Sequence, residues 1–156
     1  MIRTMISGVI AGATGELALN VASYADMVVR ARPSRSMPGK VAGRMADLAG
    51  VELSRPGERA DIAETRKEAS GALLGYGMAV GTAVAYAMLR RAGVRLPVPV
   101  GGLLMGGAAM AVSDSAATAL GATDPATWGV SGWLADVIPH AIFGVAAAAT
   151  LELIDP

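Results

Sequence analysis

Cysteine is absent from the 156 residues. That removes disulfides, zinc–thiolate centres, thiol catalysis and cysteine-linked lipid anchors. Histidine occurs once, at His140, so hydrolytic or metal arrangements that need two imidazoles are not expected. No serine stands in a nucleophile elbow and no glycine-rich loop follows a strand pattern, so the sequence predicts no enzyme, no cofactor and no resident metal. Charged residues make up only 17% and the formal net charge is zero, which leaves no electrostatic footprint for nucleic acid.

What is abundant is apolar: 53% of residues are hydrophobic and the mean hydropathy is +0.49, more than a soluble core of this size could hide. The bilayer is therefore the expected partner. An apolar layer about 30 Å thick takes a helix of about 20 residues, and four stretches qualify, at about 4–29, 69–89, 98–121 and 130–151. Arg3 and the apolar run to Ala13 resemble a signal peptide. The run is short and Glu16 follows it, so the segment reads as a retained first span. Trp128 and Trp133 bracket the start of the last span, as amphipathic aromatics do at a headgroup boundary. The expected fold is all-α, a four-transmembrane-helix bundle forming one integral membrane domain over 1–156.

Between the first two spans lies a polar loop, 30–68. It contains one amphipathic surface helix from about Pro38 to Ala49, with Val41, Met45 and Leu48 on one face and Lys40, Arg44 and Asp47 away from it. That helix suits either the bilayer surface or packing on the loop, and Gly50 is its stop. Arg59 to Glu68 reads as a charged helical extension of the second span. Nine of the 13 basic residues fall between Arg30 and Lys67, which places the loop in the cytoplasm. Asp26 and Arg30 form a helix-end pair, and Arg30, Arg32 and Arg35 are candidates for anionic lipid headgroups. Asp124 before Pro125 reads as an N-cap with proline at the first helical position.

Small residues recur at helical spacing: Gly8 and Gly12, Gly71 and Gly75, Gly77 and Gly81, Gly102 and Gly106, Gly144 and Ala148. Such rows let helix backbones approach closely where lipid supplies no hydrophobic drive. Continued one turn at a time, the first row becomes Gly8, Gly12, Glu16, Asn20, and the last span carries Asp136, His140, Gly144, Ala148. Antiparallel packing of the outermost spans would pair Asn20 with Asp136, Glu16 with His140, Gly12 with Gly144 and Gly8 with Ala148. Depth counting adds Tyr76 and Asp114 to this buried polar cluster, on the loop side of the midplane. The opposite half is closed by small and aliphatic side chains.

A lone charge near the midplane is unfavourable by about 2.5–3.5 kcal/mol on insertion scales. Glu16 is therefore expected to be paired with His140, protonated, or sharing one proton with the imidazole. Three readings of the cluster stay open at this point: polar contacts that fix helix register, a proton or cation pathway, and a weak metal set of Glu16, Asp136 and His140. A lipid-modifying enzyme would need a side opening near Asp114.

Two stretches, "ALNVASYADMVVRARPSRS" (Ala18–Ser36) and "LGATDPATWGVSGWLADVIPHAIFG" (Leu120–Gly144), resemble a family of small multi-pass membrane proteins of actinobacteria, with a fainter likeness to YagU-type inner-membrane proteins. The resemblance implies a membrane address and carries no activity. The expected role is a non-enzymatic accessory or packing subunit or a small homo-oligomer, with proton or cation conduction through Glu16 and His140 as the alternative.

Overall fold

The computed structural model describes residues 1–31 and 37–155, which are mostly helical and contain no strand. Five α-helices follow in order: α1 (Ile2–Arg30), α2 (Met37–Leu48), α3 (Ala60–Arg91), α4 (Val98–Ala119) and α5 (Gly129–Ile154). α1, α3, α4 and α5 are long and apolar enough to cross a membrane. They coincide with the four stretches expected from hydropathy. α3 begins nine residues before its apolar run, because Ala60–Glu68 continues the helix as a charged extension.

The helix ends follow local chemistry. α2 stops where Gly50 takes φ 69° and its N–H bonds the Asp47 carbonyl, a conformation that a side chain at Cβ disfavours. Asp124 does cap: its carboxylate accepts from the Ala126 N–H at 3.0 Å. What it caps, however, is a 3₁₀ turn over Pro125–Thr127, and α5 starts only at Gly129. Trp128 then donates from Nε1 to Thr123 at 2.8 Å and packs its ring against Trp133.

Packing runs α3–α1–α5–α4, each helix antiparallel to the next. A Cβ added at Gly8 would sit 2.6 Å from the Val84 Cα, and one at Gly12 2.6 Å from the Val80 Cα. Numbers rise on α1 as they fall on α3, so the first glycine row is spent on α3. α4 and α5 interlock through Gly102, Gly106 and Gly144, with Gly144 against the Gly102 carbonyl and Gly106 against that of His140. Close backbone approach supplies the dispersion contact that holds helices together in lipid. On its other side α1 meets α5 through Ala11 and through Gly15, which lies on the Phe143 ring.

The outermost spans are thus neighbours in opposite directions, as expected, but the expected glycine pairing is replaced. Gly8 and Gly12 face α3 rather than Ala148 and Gly144, and Gly144 faces α4. The reason is angular: α1 has neighbours on two sides, and its Gly8–Gly12–Glu16 face is turned to α3 while Ala11 and Gly15 are turned to α5.

α2 packs on the loop end of α3 through buried Gly39, Ala42 and Gly43. Gly71 is pressed against Pro38 and Gly39, and Lys67 runs its stem along Gly43. The predicted apolar face is not the buried one, since Met45 and Leu48 are exposed. Close approach to α3 selected the small residues of α2 instead. α3 and α4 meet where buried Tyr86 lies on Gly101. Toward the loop, α3 and α2, with Val112 of α4, frame an open groove of about 890 Å³.

Candidate functional site

Glu16, one turn after Gly12 on α1, is buried, 9% exposed. Asn20, one turn on, donates from Nδ2 to its Oε1 at 3.3 Å. The same oxygen stands 3.3 Å from where a Cβ on Gly75 would lie. Gly75 therefore leaves the space into which the carboxylate fits, beyond any role in helix packing. Sequence spacing alone had placed it only in a packing row.

His140 follows Pro139 inside α5. Its Nδ1 lies 2.9 Å from the Asp136 carbonyl oxygen and 3.4 Å from the Asp136 Oδ1. The imidazole acts electrostatically on both Glu16 of α1 and Asp114 of α4, and Asp114 in turn faces Asp136. Five of the six expected polar residues, Glu16, Asn20, Asp114, Asp136 and His140, thus gather where α1, α4 and α5 meet. The Asp136 Oδ2 is buried there without a hydrogen-bond partner.

Two expectations need correction. Glu16 and His140 form no direct ion pair. Each takes its hydrogen-bond partner from an adjacent turn of its own helix, Glu16 from Asn20 on the next and His140 from Asp136 on the preceding one, where spacing of four residues brings the groups close. Tyr76 does not belong to the cluster: it is 48% exposed. Gly75 faces Glu16, and one residue further the helix has turned by about 100°, which carries Tyr76 away. Among the described residues no group of three His, Asp or Glu comes close enough to hold a metal ion.

Arg30 is engaged rather than free, pairing with Asp26 at 2.8 Å and donating to the Ser131 Oγ at 2.9 Å. This ties the loop ends of α1 and α5. Arg32 and Arg35 lie outside the described residues. Gly77 and Gly81 have no heavy atom within 4 Å of an added Cβ and line the groove with Leu73, Leu74, Ala85 and Val112. Neither is closely approached by a neighbouring backbone, in contrast to Gly8, Gly12, Gly71, Gly102, Gly106 and Gly144. The groove passes Val112, but Asp114 does not line it.

A second polar group, at the far end, escaped sequence reasoning. Arg90 is buried, pairs with Glu152 at 2.7 Å and donates to the Asp155 carbonyl at 3.2 Å. Arg3 reaches the Asp155 carboxylate at 3.8 Å. The available signal was Glu152, an acid interrupting the apolar end of α5 at the depth that Arg90 takes on α3, since the second and fourth spans run in the same direction. One turn before Arg90, the buried Tyr86 hydroxyl has no hydrogen-bond partner.

Compared with known proteins, the chain matches no family model, no curated protein and no solved structure.

Proposed function

We propose that the protein is a non-enzymatic multi-pass component of a bacterial inner membrane, acting as an accessory subunit or a small homo-oligomer, with the 30–68 loop in the cytoplasm. The observation that carries this reading is the α3 face at Gly77 and Gly81, a small-xxx-small row with open space over both glycines. Every other glycine row in the bundle is used for close contact at one or both positions, whereas this one opens into the groove between α3 and α2. The charge distribution supports the orientation, and the two quoted stretches support kinship with the actinobacterial membrane proteins. The test is native mass spectrometry of the detergent-extracted protein. The expected result is a fixed-stoichiometry complex or oligomer that disappears in the Gly77→Ile, Gly81→Ile double variant while the fold persists. A monomer indifferent to both substitutions refutes the reading.

A second reading, proton or cation conduction, is favoured by the convergence of Glu16, Asp114, Asp136 and His140 from three helices. It predicts pH-driven flux in proteoliposomes that is lost in Glu16→Gln.

A further inference from the structure

The lone imidazole offers a way to say which atom of the polar cluster would exchange a proton. A carbonyl oxygen only accepts hydrogen bonds, and an ionised carboxylate likewise. The Nδ1 of His140 has the Asp136 carbonyl oxygen at 2.9 Å and the Asp136 Oδ1 at 3.4 Å. Both neighbours call for a hydrogen on Nδ1. In a neutral imidazole the hydrogen then resides on that nitrogen, and Nε2 keeps its lone pair.

We propose that Asp136 holds His140 as the Nδ1–H tautomer, so that Nε2 is the proton-accepting atom of the polar cluster. This deepens the conduction reading and rests on its assignment of the cluster to proton chemistry. In the loading step an O–H bond of hydronium breaks and an N–H bond forms at Nε2, leaving water and one positive charge on the ring.

The groups facing the ring are few among the described residues. α1 supplies Glu16, α4 supplies Asp114, and α5 itself supplies Asp136. α3 brings Gly75 and no charge to this depth. The Asp136 side chain is 25% exposed and that of His140 17%. Beyond Glu16 the bundle is tightly packed, with Ala11, Phe143, Ala147, Ala148 and Leu151 all buried.

Because the chain has one histidine, ¹⁵N-histidine labelling in nanodiscs gives a single ring spectrum. The expected neutral form has a protonated Nδ1 and a bare Nε2. A neutral form protonated on Nε2 overturns the proposal. Flux is measured on the same preparation. Absent flux with the Nδ1–H tautomer retires conduction and leaves the tautomer assignment standing.

Discussion

At Gly144 the hydrogen that replaces a side chain is a packing requirement, because an added methyl would be driven into the Gly102 carbonyl oxygen. Backbone cannot swing aside as the end of a side chain does. Gly144→Ala is expected to destabilise the bundle by about 1–3 kcal/mol through overpacking, read as lowered thermal stability in detergent. Gly77→Ala meets open space, so in a monomeric preparation it is expected to be neutral, or to stabilise by up to about 1 kcal/mol from helix propensity. The contrast separates two glycine rows that look alike in the sequence. Gly75 is a third case: its neighbour is the Glu16 Oε1, a flexible side-chain end. Gly75→Ala should be tolerated with a small loss, whereas Gly75→Val should displace the carboxylate and disturb the imidazole spectrum of His140. A wild-type spectrum in folded Gly75→Val would show that the carboxylate is not seated there.

At the scale of elements, the charged extension of α3 organises the connection from α2. Arg66 donates to the Glu58 carboxylate at 2.6 Å and reaches the Leu53 carbonyl at 3.5 Å. The hydrogen bond from Arg66, helped by the Arg55 backbone N–H and the nearby guanidinium charges, holds the Glu58 carboxyl below its ordinary value of 4.5. A carboxyl depressed in the folded state stabilises the fold above the unfolded value, and that contribution is lost as pH falls through the folded value. The connection is therefore expected to loosen as pH drops below about 4.5, seen as faster hydrogen exchange of the Arg55 and Glu58 amides. Glu58→Gln should exchange quickly at every pH, and a pH response persisting in that variant counts against this pair as its source. At the opposite ends of α3 and α5 the pairing is asymmetric: Arg90 is 6% exposed at its side chain and Glu152 51%. Removing the acid strands a buried cation, while removing Arg3 alters only a long, exposed contact. Glu152→Ala should lower thermal stability clearly, and Arg3→Ala by no more than about 0.5 kcal/mol.

At the scale of the whole molecule, the absence of cysteine makes single-cysteine labelling unambiguous. With the loop in the cytoplasm, Asp47→Cys in α2 should react with an impermeant maleimide only after cells are opened, and Gly93→Cys between α3 and α4 should react in intact cells; the reverse pattern inverts the proposed orientation. The sequence by itself determined the number and limits of the apolar helices, the charged extension of α3, the stop at Gly50 and the burial of Glu16. Each of these follows from local composition or from spacing along one helix. Only the tertiary structure decided who faces whom. The Gly8–Gly12–Glu16 face has a fixed direction on α1, but nothing along that helix says whether α3 or α5 lies there, because small-residue rows are interchangeable partners. The same ambiguity made Gly77 and Gly81 look like packing residues and drew Tyr76 into a cluster from which one step of helical rotation removes it. It also hid the contact between Arg90 and Glu152, two charges 62 positions apart that meet only because α3 and α5, both antiparallel to α1, run in the same direction and bring their C-terminal ends to one depth.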